Sequence, residues 1–292
     1  MSFTIVTDSA ANLPKRILDK WNISVIPFPA CVNGVEYDCE YPENFDAHFY
    51  YDALRQGADF STSQINPDRC MAYLEPMLEH REEILFVGVS SGVSGSFSSA
   101  QLARTTLLES HPDAVLRLVD SLSAGLGEGL IVVQAALCRE KGMSLEETAQ
   151  HLEKIRTRVY HLFVVDDLMH LRRSGRISNV VAAIGSVLNI KPLLKGSEEG
   201  KIGPGDKLRG RKRVLQAMAD KYAALAHDAA SGLVGISHAD CEEDAKKLAD
   251  LIREKCIPGE LLITTHEPAT GGHIGPGALA VFFWGEAGVR KR

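Results

Sequence analysis

The chain has 292 residues, 45% hydrophobic and 24% charged, with a formal net charge of −6. That length accommodates two ordinary domains or one large one around a sizeable core, and the acidic balance argues against bulk nucleic-acid binding, which shows as a basic excess. Six cysteines without a C-x-x-C or regular spacing signal neither a zinc site nor a disulfide framework.

A reducing cytoplasm fits that cysteine usage. No run approaches the roughly 20 apolar residues of a membrane span, and the N-terminus has no basic segment ahead of an apolar one. The chain therefore reads as neither exported nor integral to a membrane.

Along the chain, short apolar runs alternate with helical stretches, the pattern of a parallel or mixed sheet covered by helices. Phe3 to Val6 reads as a strand ending at Thr7-Asp8-Ser9, and Ile23 to Val32 as a second, followed by the hairpin signal Asn33-Gly34 and by Val35-Glu36-Tyr37. Pro67 opens a helix through His80, and Ile84 to Val89 is a strand leading into Ser90 to Ser99. Gln101 to Glu109 is helical and Val115 to Val119 a strand closed by Asp120-Ser121. A helix spans about Gly129 to Lys141, and Ser144 with Glu147 forms a capping box for another that ends near Val159.

Two successive helices break the strand–helix rhythm, which puts a domain boundary close to Tyr160. Residues 1–159 are then an N-terminal α/β domain, with a mostly parallel sheet and Ser/Thr-rich anion loops. Residues 160–292 are a C-terminal α/β domain with a mixed sheet, a basic segment and a His-Ile-Gly-Pro-Gly motif. Within the second, Leu162 to Val165 is a strand, Asp166-Asp167-Leu168 starts a helix, and Glu198 to Lys201 turns between two strands. Arg211 to Ala229 and Cys241 to Lys255 are helices; Leu233 to Ser237, Leu261 to Thr265 and Leu279 to Trp284 are strands. No linker is long enough for freely moving domains.

The loop Gly88-Val89-Ser90-Ser91-Gly92-Val93-Ser94-Gly95-Ser96 follows an apolar strand. Glycines and short hydroxyl residues there expose amide and O–H donors without bulk to hold an anion away. Ser61-Thr62-Ser63-Gln64-Ile65-Asn66-Pro67 is a second hydroxyl cluster, only partly explained as helix capping, and Thr7-Asp8-Ser9 is a third. Ligands of open α/β sheets gather outside the carboxyl ends of strands, so three polar strand ends line one crevice.

Gly88 to Gly92 also matches G-x-S-x-G, and Asp120 and His273 complete the order Ser, Asp, His. A nucleophile elbow needs a helix directly after its serine, whereas Gly92 and Gly95 prolong the loop, so anion binding is the better reading. A serine hydrolase of acyl esters using Ser90 is the alternative. Gly125-Leu126-Gly127-Glu128-Gly129 lacks the spacing of a dinucleotide fingerprint and reads as a flexible, closely packed turn. Asp166-Asp167 reads as a helix cap, and neither a metal nor a cofactor is expected. The segment from Arg172 to Arg213 is basic, with Ser174-Gly175-Arg176 and Arg209-Gly210-Arg211 setting guanidinium groups on tight turns that suit carboxylates and phosphates. His273 lies among Gly271, Gly272, Gly275 and Gly277, a backbone shaped to aim one imidazole, while His266 and His238 have no comparable setting.

Taken in order, Thr7-Asp8-Ser9, Ser61 to Gln64, Ser90 to Ser96, Asp120-Ser121, Asp167 to Leu171, Gly175-Arg176-Ile177-Ser178, Lys191-Pro192, Arg209 to Lys212 and His273 to Gly277 resemble the DegV family of fatty-acid-binding proteins. Characterised bacterial members include the acyl-carrying subunit of fatty acid kinase. Ser174, where the family often has glycine, and Ser96, where threonine is common, are small departures. The resemblance implies two α/β domains with a long-chain fatty acid in a buried tunnel. It implies that Thr62, Ser94 and the backbone at Gly95 hold the carboxylate, with Ser61, Ser63, Arg176 and His273 near it. It also implies that Arg209 and Arg211 form a basic rim facing a separate ATP-dependent kinase, which makes an acyl phosphate, and that lipid exchange involves transient contact with a membrane surface. The chain itself is then a carrier with no catalytic residue.

Overall fold

A computed structural model describes residues 3–80, 82–177 and 190–291. Ser178 of the Gly175–Ser178 motif, and the part of the basic segment from 178 to 189, lie outside the described residues.

The N-terminal half runs β1 (Thr4–Asp8), α1 (Lys15–Trp21), β2 (Ile23–Ile26), β3 (Pro29–Val32), β4 (Val35–Asp38), α2 (Ala47–Arg55), β5 (Phe60–Thr62), α3 (Pro67–Glu79), β6 (Ile84–Gly88), α4 (Ser96–Ser110), β7 (Leu116–Asp120), α5 (Leu126–Glu140) and α6 (Leu145–Ile155). It continues with β8 (Val159–Val164), α7 (Met169–Arg173), β9 (Ile190–Gly196), β10 (Ile202–Arg209), α8 (Arg211–Leu225), β11 (Leu233–His238), α9 (Glu242–Lys255), β12 (Glu260–Thr265), α10 (Pro268–Ile274) and β13 (Leu279–Trp284).

The first sheet is parallel, in the order β2-β1-β6-β7. Its central strand β6 is an unbroken apolar run because both faces are covered: every residue of it is buried. The second sheet is mixed, in the order β10-β9-β8-β13-β11-β12. Only β11 and β12 pair in parallel within it; the other neighbours are antiparallel. Alternation along β8 divides its faces. Tyr160, Leu162 and Val164 pack with Val214, Met218 and Leu248 of α8 and α9, while His161 and Phe163 turn the other way, into the interior between the sheets.

Helix α5 occupies that interior. It is apolar nearly all round, as a helix buried on every side must be. Leu126 and Leu130 join Leu85 and Val87 of the parallel sheet and Leu262, Ala280 and Phe282 of the mixed sheet in one apolar cluster. The core therefore crosses the line between residues 159 and 160.

Several short stretches depart from the sequence reading. Ile23 to Val32 is two strands in different sheets, because Pro27 and Pro29 remove ladder donors and turn the chain. The sequence reading also has no helix at α1, α2 or α10 and no strand at β5. The Asn33-Gly34 turn forms as expected, with Val32 opposite Val35 and both turn residues at positive φ (49° and 80°). The Ser144–Glu147 capping box is also present.

Candidate functional site

A cavity of about 300 Å3 opens between the two sheets, at the lower end of the roughly 300–1,000 Å3 usual for small-molecule sites. Its apolar wall includes Phe28, Val93, Phe163, Ile274, Ala280 and Phe282. A polar patch adjoins it, built from β5, the serine loop, α10 and the turn after α7.

In β5 the period-two alternation aims Thr62 at the cavity and sends Ser61 to the opposite, exposed face. Ser61, expected near the carboxylate, is therefore not part of the lining, whereas Ser63 and Gln64 are. Thr62 Oγ1 and His273 Nε2 share a hydrogen bond of 2.8 Å. The imidazole is stacked edge-on against Phe60, with ring centroids 5.2 Å apart. Burial, then the neighbouring Arg176 guanidinium, pushes the His273 pKa down to about 4, so the ring is neutral at pH 7. Arg176 lines the same patch and donates from Nη1 to the Ser174 carbonyl at 2.5 Å. Gly175, at φ 74°, makes that return possible.

The serine loop ends where α4 starts. Ser94 Oγ accepts from the Ser96 amide at 3.2 Å and donates to Ser96 Oγ at 3.1 Å. Ser96 Oγ in turn receives the Ile65 amide at 3.0 Å, which fixes the second hydroxyl cluster to the first. Gly95 is the residue before α4, and a side chain there would strike the Gln64 amide oxygen. Its own amide has no hydrogen-bond partner among the described residues, so one N–H is available at a helix N-terminus.

The glycines around His273 have a different cause from the one expected. Gly271 and Gly272 lie inside α10, where the Tyr51 hydroxyl and the Phe60 ring leave no room for a Cβ. Gly275, at φ 80°, ends the helix. Glu267 caps its start by accepting from the Ala269 and Thr270 amides at 2.6 Å each.

The Ser90, Asp120 and His273 constellation is not assembled. Ser90 is fully buried; its hydroxyl donates to the Gly200 carbonyl at 2.8 Å and accepts from the Gly92 amide at 3.0 Å. Asp120 Oδ1 accepts the Leu122 amide at 2.9 Å, and α4 begins six residues after Ser90 rather than directly behind it. The hydrolase alternative has no geometry to support it.

Thr7-Asp8-Ser9 acts beneath the loop, not in the cavity. Asp8 accepts the Ala10 and Val89 amides at 3.0 and 2.8 Å, and Thr7 Oγ1 donates to the Val87 carbonyl at 2.8 Å. Burial lifts the Asp8 pKa to about 7 and, together with the charge of Asp8 nearby, that of Glu128 well above the carboxylate range. Of the segment Gly125 to Gly129, only Gly125 (φ 60°) is a turn; Gly127 and Gly129 are helical positions pressed against Phe282, His161 and the Ala11 carbonyl.

Arg209 is exposed at the end of β10. Arg211 is turned inward instead, donating to Asp244 Oδ2 at 2.8 Å and the Gly277 carbonyl at 2.9 Å, so it is not an outward rim residue. Asp167 Oδ1 accepts the Met169 amide at 2.8 Å, a local cap at the start of α7. Among the described residues one trio, His48, Asp52 and Asp240, brings ligand-type atoms within 4.8 Å of one another. Arg55 already bonds both carboxylates, at 2.7 and 2.6 Å.

Sequence reading missed His161, Ser123 and His266, all lining the cavity. His161 offered one signal, an imidazole on the alternating face of an apolar strand. His266 offered none.

A profile of the DegV family, described as uncharacterised proteins, matches residues 2–286. A DegV domain-containing protein of Clostridium perfringens is 37% identical over 97% of this chain and 98% of its own. One of Streptococcus pyogenes is 34% identical over 98% of this chain and 99% of its own. Among solved structures, a DegV family protein of Thermus thermophilus described for fatty acid binding superposes with a TM-score of 0.87 at 26% identity, covering 98% of this chain and 100% of the other. A fatty acid binding DegV family protein of Streptococcus agalactiae gives 0.85 at 27% identity, over 98% and 99% of the two chains. Matched over almost its entire length by the family profile and by relatives above 30% identity, this chain belongs to the DegV family.

Proposed function

We propose that this chain carries one long-chain fatty acid in the cavity between its sheets, with the carboxylate on Thr62, Ser94 and the Gly95 amide, beside Ser63, Arg176 and His273. The observation that carries this reading is a largely apolar cavity adjoined at the Thr62–Ser94–Gly95 patch by a cluster of hydroxyl and amide donors. An acyl chain gains about 0.8 kcal/mol for each buried methylene, whereas its carboxylate must be hydrogen-bonded to be buried at all. Fatty acid binding by solved relatives of the same fold supports the reading.

Neutral donors satisfy a carboxylate without locking it in a tight ion pair, which leaves an oxygen able to attack the γ-phosphorus of ATP held by a separate kinase. Arg176 is the charged group placed to offset the negative charge that builds during such a transfer. The exposed Arg209 belongs to the face such a partner meets, and loading and release take place at a membrane surface. The chain is then a carrier, and chemistry belongs to the partner.

The test is to denature the purified protein, extract it and identify what copurifies by mass spectrometry. One fatty acid per chain is expected, with no labelling of Ser90 by a fluorophosphonate. Absence of lipid together with failure to bind added palmitate or oleate sinks the carrier reading; binding without phosphorylation by ATP and any fatty acid kinase sinks only the kinase half.

A further inference from the structure

His161 and His266 lie in the cavity wall apart from the hydrogen bonds of the Thr62–His273–Arg176 patch. His161 is buried, and its Nε2 faces Ser123 Oγ at 2.9 Å and Arg290 Nη2 at 3.2 Å. A guanidinium can only donate. Nε2 must therefore be the accepting nitrogen, and the proton of the neutral ring sits on Nδ1. Among the described residues Nδ1 has no partner.

The surroundings leave that N–H open. Gly196 follows the Leu162–Lys195 pair along the β8–β9 ladder and so stands opposite His161. A Cβ on it would lie 2.6 Å from Nδ1, and a Cβ on Gly127 would lie 2.7 Å from Nε2. Two glycines thus frame one imidazole. Phe282, whose ring centroid is 5.6 Å from that of His161, and His266 both approach Gly125. His266 is 2% exposed, its Nε2 is bonded to Ser237 Oγ at 2.9 Å, and its Nδ1 is without a partner among the described residues.

A plain hydrocarbon laid along this wall leaves the His161 Nδ1–H unpaired, and an orphaned buried polar group costs roughly 1–3 kcal/mol. Resting on the carrier reading, we infer that the cavity selects a fatty acid with an oxygen on its chain, a hydroxy or oxo acid, whose oxygen accepts the His161 Nδ1–H. The discrimination follows a general asymmetry: a site built to hydrogen-bond a ligand group rejects the analogue lacking it more strongly than an apolar pocket rejects an added methylene.

The experiment is displacement of a fluorescent fatty acid from the lipid-free full-length protein by stearate and by a series of hydroxystearates differing in hydroxyl position. One mid-chain isomer should bind about tenfold more tightly than stearate. It alone should also move the His161 15N resonance, and both effects should vanish in Gly196→Ala, where the new methyl occupies the space at Nδ1. His161→Phe should abolish the preference as well; as it also strips Arg290 of an acceptor, the Gly196 variant and the 15N shift carry the test independently of its folding. If stearate matches or exceeds every isomer, an ordered water fills the role and the inference is wrong. If no fatty acid binds, the carrier reading fails first and this one with it.

Discussion

At the scale of single residues, Thr62 and His273 are the pair to test. In the proposed complex the Thr62 hydroxyl gives a hydrogen bond to a carboxylate in a partly buried site, and charged acceptors make such bonds worth about 1.5–3 kcal/mol. Thr62→Val, which keeps the shape, should weaken fatty acid binding by roughly 10- to 100-fold while leaving the melting temperature of the lipid-free protein nearly unchanged. An isothermal titration showing unchanged affinity would remove Thr62 from the site. His273 titrates near 4 instead of 6.5 because burial and Arg176 oppose its charge. Protonation therefore contributes nothing near neutrality, and affinity should be flat from about pH 6 to about pH 8. The sign for folding is equally fixed: the unfolded chain binds the proton first, so His273 stabilises the fold above pH 6.5 and that contribution falls away as pH drops toward 4. Thr62, Ser94 and Arg176 were readable as hydroxyl and guanidinium groups on turns. That Ser61 points away was settled only by Phe60–Thr62 joining a sheet.

At the scale of elements, the long periodic segments were legible and the short ones were not. Strands β6 and β13 and helices α3, α6 and α9 announce themselves by apolar runs, a leading proline or caps. Strand β5 has three residues and draws its stability from pairing with β3 across thirty positions of sequence, which no local pattern encodes. Helix α10 contains two glycines that disfavour helix locally, and it forms because Tyr51 and Phe60 pack where side chains would be. Gly272→Ala should accordingly cost about 1–3 kcal/mol of stability, the usual range for overpacking, read as a drop in urea midpoint; an unchanged midpoint would show that Phe60 moves freely aside. Beneath the serine loop, Asp8 titrates near 7 against 3.8 unfolded, and Glu128 lies well above 4.5. The folded chain therefore holds more protons than the unfolded one, so both groups stabilise at low pH, and the Asp8 contribution is lost as pH rises through 7. Glu128→Gln keeps the side chain's shape and offers an amide N–H to Thr7 Oγ1, whose own proton goes to the Val87 carbonyl, without titrating. It should be more stable than the parent at pH 8 than at pH 5, measured as the difference in urea midpoints.

At the scale of the whole molecule, the reading of two α/β layers from strand–helix rhythm corresponds to a parallel and a mixed sheet, each with an apolar cluster largely its own and a third cluster shared between them. Helix α5 and the cluster from Phe3 to Phe282 belong to both sheets. Tyr50 and Tyr51 donate across the same line to the Pro268 and His266 carbonyls at 2.7 and 2.8 Å. Contacts this distant in sequence leave no trace in composition or spacing. They imply one cooperative thermal transition rather than two. A fatty acid at 100 times its dissociation constant should stabilise the folded state by about 2.7 kcal/mol, visible as a rise of several degrees in calorimetry; two resolved transitions would contradict the shared core.

The location of the cavity has a cellular corollary. Its walls are the inner faces of both sheets, so on the carrier reading the acyl chain completes the hydrophobic interior, and the empty protein opens more often. Proteases act on opened chains in proportion to their population. The steady-state level of the protein would then track the supply of free fatty acid, rising when lipid is plentiful and falling under starvation with no change in its transcript.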